Sequence, residues 1–475
     1  MPDGLIAQAY NAASAEALRI YAEVLAGVRA DKLMADSVRR VDAILEIQDK
    51  RLDLSTFADV YICGAGKASF AMAQILREIV GPYVSGGLVV TKHGHGGEIP
   101  GVRVLEASHP VPDESSLEAG RQMLAMAAET GPNDLVLFCL SGGASALMES
   151  LKEGITLNDL QELNRKMLAQ GKAIHEINQA RSKLSRIKAG GLAQAFSTAT
   201  VAVLVLSDVG TELGTIGSGP FWGQDSDEWV LLGSGNYWDL GEERAYRHHR
   251  CRSAGASERE TYGNIRRQLA GAKREPQGAA PAQPRRVFHR FIGSLHTAMG
   301  IAMRAAGEHL KLLLTGPEET LLYQGERLKA SRESPRSHPM MFGDVRHEAA
   351  RIAEVALTLR PGECRLYFGE PTVTIRGDGK GGRCQELACA AADLIAGRRD
   401  LAILAGSTDG TDGPTDVGGA VVDGDSSARA AANGVTAEAA LANSDSFRFL
   451  EACGGLIYTG PTQSNVNDIV IAVRL

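Results

Sequence analysis

The stretch Leu401-Ala-Ile-Leu-Ala-Gly-Ser-Thr-Asp-Gly-Thr-Asp-Gly-Pro-Thr-Asp-Val-Gly-Gly-Ala-Val-Val-Asp423 decides how this chain is read. Its apolar opening, Leu401 to Ala405, has the length and character of a buried strand. A loop of Gly, Ser, Thr and Asp follows, with Pro414 inside it. In α/β sheets, ligands bind at the carboxyl ends of strands. Glycines let the backbone approach a ligand, and carboxylates hold Mg²⁺ or take a proton from a hydroxyl. An Asp-Gly loop is also an ordinary turn. Asp409, Asp412 and Asp416, so closely spaced after a strand, favour a site.

The same device recurs towards the N-terminus. Asp59 to Ser69 reads as strand, Gly64-Ala-Gly66-Lys67, then helix. A dinucleotide fingerprint wants a third Gly and an acid about 20 residues on. Here Ser69 stands at the third Gly, and the next strand ends in Lys92-His93-Gly94-His95. That argues against a nicotinamide dinucleotide. It favours an anion held at a helix N-terminus by the Gly64–Gly66 turn, with Lys67 beside it. Asp134 to Met148 repeats the pattern, and Ser141, Gly142, Gly143 and Ser145 offer donors to a phosphate or carboxylate. It is neither a Gly-x-Ser-x-Gly elbow nor a Walker loop.

Other segments carry weaker signals. Asn178 to Gly191 is basic, and Arg181, Ser185 and Lys188 share a helical face that is either an anion clamp or a solvated stripe. The strand Val201–Leu206 ends in Ser207-Asp208. Arg383 starts a helix out of the loop Gly377–Gly382, a good geometry for clamping phosphate. His109, in Ser108-His-Pro-Val-Pro-Asp113, reads as a structural hydrogen-bonder, and His93 and His95 as solvated loop residues.

The length of 475 residues suggests two or three domains. With 44% hydrophobic and 23% charged residues, the chain is an ordinary globular protein. A net charge of −7 points to neither nucleic acid nor an anionic membrane as partner. The seven cysteines are scattered and form no CxxC pair, a cytosolic pattern. No secretory signal or transmembrane run is seen. Residues 5–48 read as helices capping an α/β domain. The segment 221–285 holds all three tryptophans and no core pattern, and 317–342 is irregular.

Taken together, the motifs resemble the class II glycerate 2-kinases, whose C-terminal part is the MOFRL domain. The carrying residues are Gly64 to Ser69, Ser108 to Asp113, Ser141 to Ser145, Arg181 to Gly191, Ser207-Asp208 with Gly217 to Pro220, Gly381 to Arg383, Gly406 to Asp416, Thr459 to Thr462 and Asn465 to Asp468. The resemblance implies two α/β domains, the larger N-terminal one Rossmann-like, with the active site in the cleft between them. Its divisions are an N-terminal domain over 1–220, a divergent insert over 221–285 and a MOFRL-type domain over 286–475. It further implies ATP, Mg²⁺ and phosphorylation of the C2 hydroxyl of D-glycerate in the cytoplasm, with a homodimer as the assembly to consider. Lys67, Arg383 and Asp409 would be catalytic. Gly64, Gly66, Ser141, Gly142, Gly143, Ser145, Arg181, Lys188, Asp208 and Asn465 would bind substrate or phosphate, and Asp412 and Asp416 the metal. Relatives also carry the label hydroxypyruvate reductase. The chain departs from the family pattern at Thr211, Glu212, Leu295, Tyr367-Phe368, Cys384 and Gln463. Such losses of Asn or Gly keep open a catalytically impaired nucleotide-binding relative.

Overall fold

A computed structural model describes residues 5–169, 174–207, 216–222, 286–312, 340–460 and 462–475, with short strand pieces at Trp238–Asp239, Thr320–Tyr323 and Glu326–Leu328. Asp208, Thr211, Glu212 and nearly all of 221–285 lie outside the described residues.

Two six-stranded sheets organise the molecule. The first runs Arg286–Gly293, Thr200–Leu206, Leu135–Ser141, Val60–Ala65, Val84–Lys92, Arg103–Ala107, and every neighbouring pair is parallel. Parallel strands are covered on both faces, so they read as continuous apolar runs. Leu135–Ser141 is buried at every position. Helix Ser69–Val80 covers the sheet with Met72, Leu76 and Val80, and helix Glu114–Glu129 is started by an Asp113 capping box.

The second sheet runs Lys311–Leu312, Glu363–Phe368, Asp468–Arg474, Leu401–Ser407, Gly419–Asp423, Leu456–Ile457. Only its first pair is parallel. The strand that opens the Asp loop therefore lies between two antiparallel neighbours. The parallel-sheet rule for ligand position does not apply to it. The loop's place in a site has to come from its contacts.

Side chains alternate across this second sheet. Leu401, Ile403 and Ala405 point into a core shared with helices Val345–Ala356, Arg383–Leu394 and Ser446–Cys453. Ala402, Leu404, Ile469, Ile471 and Val473 point the other way, into a core that includes Leu18, Tyr21 and Val24 of helix Ala12–Gly27. The N-terminal helix is thus a cap on the C-terminal sheet. Conversely, Arg286–Gly293 is an edge strand of the N-terminal sheet. Helix Ala12–Gly27 therefore packs on the second sheet, and strand Arg286–Gly293 pairs in the first.

Two helix expectations are corrected. Only Ala12–Gly27 and Ala30–Ser37 are helical before residue 48; Val38–Val41, Ile44–Ile47 and Lys50–Asp53 form an antiparallel meander. Val41, Ile44 and Leu45 suit strands as β-branched or apolar residues around a turn at Asp42, whose φ is 54°. The basic helix ends at Leu184, so Lys188 lies in the turn beyond it and does not share a helical face with Arg181. Among the described residues no helix is long and apolar enough to cross a membrane.

Candidate active site

The first glycine turn is fastened to the second. Lys67 N donates to Gly142 O at 2.9 Å, and Ala68 N donates to Ser141 Oγ at 3.0 Å. A Cβ on Gly66, whose φ is 136°, would meet Ser141 Oγ at 2.2 Å, so only glycine fits there. Gly64 is a buried strand residue against Cys139. Gly66 N and Ser69 N are also bonded within the turn region. The donors expected to cradle an anion at Gly64–Gly66 are therefore occupied, and what this turn presents is the Lys67 side chain. At the second turn, by contrast, the amides of Gly142, Gly143, Ala144 and Ser145 make no hydrogen bond to the described residues.

Lys67 crosses to the other sheet. Its Nζ lies 3.1 Å from Asp409 Oδ2, joining the two motif turns. Asp409 Oδ1 accepts from Ser407 Oγ at 2.9 Å and Thr411 N at 3.0 Å. Burial pushes the Asp409 carboxyl up, but Lys67, the Thr411 amide and the Ser407 hydroxyl outweigh it and leave it below the ordinary carboxylate value. Asp409 is held ionised. The loop is steadied from below by Tyr21, whose hydroxyl donates to Ser407 O at 2.6 Å.

A second cation stands alongside. Ser407 is directly paired with Asp468 on the adjacent strand. Asp468 receives Arg383 in a two-pronged contact, Nε to Oδ2 at 2.8 Å and Nη2 to Oδ1 at 3.2 Å, while Arg383 Nη1 reaches Glu370 at 3.1 Å. Burial opposes the charge on Arg383, yet Asp468 and Glu370 raise its pKa. Burial keeps Asp468 above the usual carboxylate range despite Arg383. Asp468 closes the Asn465–Asp468 motif, but neither it nor Glu370 is given a role by the residue types around it.

The three loop aspartates do not converge. Asp412 is buried and accepts from Cys384 N at 3.1 Å and from Gln385 N at 2.8 Å. Gln385 Nε2 adds a further contact at 3.0 Å. It caps helix Arg383–Leu394 from a distance, because Gly382 at the cap position has no side chain to do so. Asp416 is exposed. Of the two aspartates read as metal ligands, Asp412 is taken up by a helix end and Asp416 is exposed. No group of three or more His, Cys, Asp or Glu able to hold a metal occurs among the described residues.

The basic segment splits in the same way. Lys188 and Glu149 form a fully buried ion pair, with Ser185 Oγ donating to Glu149 at 2.5 Å. Burial pushes Lys188 down to about 8 although Glu149 opposes it. Lys188, read as a phosphate-binding residue, is matched inside the core by Glu149. Arg181 points to the second turn: its Nη2 donates to Ser145 O at 3.1 Å, and its Nε is buried with no partner. Ser145 Oγ lies 2.8 Å from Ser218 Oγ, which donates to Asn178 at 3.2 Å. Asn465 is buried in the loop that Thr408 ties down through Asn467 O and Val466 N.

An α/β enzyme that pairs a lysine from one glycine turn with an aspartate of the other sheet, whose strand also neighbours a paired arginine, is suited to handling an anionic group in transfer, the layout of a small-molecule phosphotransferase. The MOFRL family matches residues 363–468, and a "Domain of unknown function (DUF4147)" matches residues 16–231. The chain is 33% identical to a D-glycerate 2-kinase of Thermotoga maritima, over 87% of this chain and 90% of that one. It is 33% identical to a glycerate 2-kinase of Pyrococcus horikoshii over 96% of both. A protein of Agrobacterium vitis named putative hydroxypyruvate reductase is 34% identical over 86% of this chain and 97% of that one. The crystal structure of glycerate kinase from Thermotoga maritima superposes with a TM-score of 0.71 at 29% identity, covering 97% of this chain and 99% of that one. The chain belongs to the class II glycerate 2-kinase family.

Proposed function

We propose that this chain transfers the γ-phosphoryl group of ATP to the C2 hydroxyl of D-glycerate, giving 2-phosphoglycerate and ADP. The observation that carries this reading is the Lys67–Asp409 ion pair at 3.1 Å, which links the two sheets. Phosphoryl transfer asks for positioning and charge neutralisation more than covalent chemistry. Lys67 and Arg383 neutralise the transferring group. Asp409, ionised and oriented by Ser407 and Thr411, accepts the proton of the attacking hydroxyl. Arg181 and the amides of Gly142 to Ser145 hold the carboxylate of the acid.

The described residues do not fit a dedicated magnesium cage, since Asp412 caps a helix and Asp416 is exposed. Mg²⁺ is proposed only as the ion that arrives on the triphosphate. A reductase reading finds no support at the strand Val84–Lys92, which ends in Lys92 where a ribose-binding acid is needed.

The test is an assay of purified protein with ATP, Mg²⁺ and D-glycerate, resolving 2- from 3-phosphoglycerate. Accumulation of 2-phosphoglycerate is expected. NADH oxidation with hydroxypyruvate and no phosphorylated product would replace this reading with the reductase.

A further inference from the structure

Phosphoryl transfer as described leaves one wall of the cleft without a task. His109 lies on the second glycine turn. A Cβ at Gly143 would meet His109 Cδ2 at 3.1 Å, His109 Nε2 at 3.2 Å and Lys67 Cγ at 3.2 Å. The imidazole and the lysine stem therefore pack side by side over Gly143, whose φ of 87° favours glycine. The charged groups acting on His109 are Lys67, Lys92, Asp409 and Arg181. Its ring stands among the Lys67–Asp409 pair and the Arg181 guanidinium.

The ring is half-buried, yet neither nitrogen has a hydrogen-bond partner among the described residues. The neighbouring Arg181 Nε is buried and has no partner. Unmatched polar atoms around one turn, bordered by cations, describe a place for a small ligand with an anionic end and a hydroxyl.

We propose that His109 is a specificity-determining residue, hydrogen-bonding the C3 hydroxyl of a short 2-hydroxy acid whose carboxylate lies at Arg181 and whose C2 hydroxyl lies at Lys67 and Asp409. The assignment rests on the glycerate reading above and follows from counting substituents. With the carboxylate and the reacting hydroxyl placed, the remaining arm of the acid is left for the wall that His109 forms. Burial, Lys67 and Lys92 push His109 down to about 3, so it is uncharged near neutral pH. A neutral imidazole offers one donor and one acceptor, which suits a hydroxyl, and adds no charge beside Lys67 and Arg181.

The experiment compares kcat/KM for D-glycerate and for D-lactate, the same acid without the C3 hydroxyl, in wild type, H109F, H109A and H109Q. H109F keeps a flat ring to pack on Gly143 and so carries the test if H109A does not fold. A site built to bond a hydroxyl strongly rejects the analogue that lacks it. Wild type is expected to prefer D-glycerate by at least about 100-fold. H109F and H109A are expected to lower that ratio at least about tenfold by losing D-glycerate alone, with H109Q recovering part of it. A ratio unchanged in H109F, or equal losses on both acids, overturns the assignment. A wild type that prefers neither acid overturns it too. A wild type that phosphorylates neither acid, with ATP and Mg²⁺ present, instead sinks the kinase reading on which it stands.

Discussion

Lys67 contributes in a way that a surface lysine does not. It is four-fifths buried, packed on Gly143 and paired with Asp409, so its charge acts where water screens it little. Removing a preorganised charge of this kind from a transfer site costs about 100-fold or more, or roughly 3 kcal/mol of transition-state stabilisation. K67A is expected to lower kcat/KM for D-glycerate by at least that factor, measured below its own unfolding temperature, which falls because Asp409 loses its partner. A loss within about threefold would remove Lys67 from the mechanism. Lys67, Asp409 and Arg383 are legible in the sequence because each sits beside a glycine turn where strand meets loop or loop meets helix. His109 is not, because a lone histidine followed by Pro110 and Pro112 reads as structure. Asp468 needs the strand register that sets it opposite Ser407, a pairing that residue types do not encode.

At the scale of the element, helix Arg383–Leu394 shows how a loop residue can look like chemistry and serve structure. Its first amides are bonded by Asp412, 28 residues away from Cys384 in the chain. The same carboxyl is pushed up to about 6, first by burial and then by the charge of Asp468, against the pull of the Gln385 and Cys384 amides. A carboxyl raised in the fold binds its proton more tightly there than in the unfolded chain. Its contribution therefore favours the native state below the ordinary carboxylate value and is lost as pH rises towards 6. In D412N this term is absent. Relative to wild type, D412N is expected to become more stable, by about 2 kcal/mol, on going from pH 4 to pH 7. Urea unfolding of both proteins at the two pH values checks it. A difference that does not change with pH would show that Asp412 titrates as an ordinary exposed acid. The spacing of Asp409, Asp412 and Asp416 suggests a shared ligand; the helix N-terminus that claims Asp412 is invisible until the two segments are seen packed.

The whole molecule is held by exchange of elements between its ends. Two α/β layers agree with what the motif order implies. The boundaries are less legible, because helix Ala12–Gly27 and strand Arg286–Gly293 carry patterns that suit either sheet. Helix Ala12–Gly27 lies on Ala402, Leu404, Ile469, Ile471 and Val473, and Asn11 Nδ2 donates to Arg399 O at 2.9 Å. A fragment starting at residue 340 would leave that sheet face open. Exposed apolar area of this kind costs about 25 cal/mol per Å² and invites association. Residues 340–475 alone are therefore expected to aggregate or to show no cooperative unfolding. The same fragment with residues 5–28 joined through a flexible linker is expected to unfold cooperatively in urea, followed by circular dichroism. Were the bare fragment to unfold as sharply as the fused one, the N-terminal helix would be an accessory to the C-terminal layer. The Tyr21–Ser407 bond at 2.6 Å argues otherwise, since it ties that helix to the strand end from which Asp409 is presented.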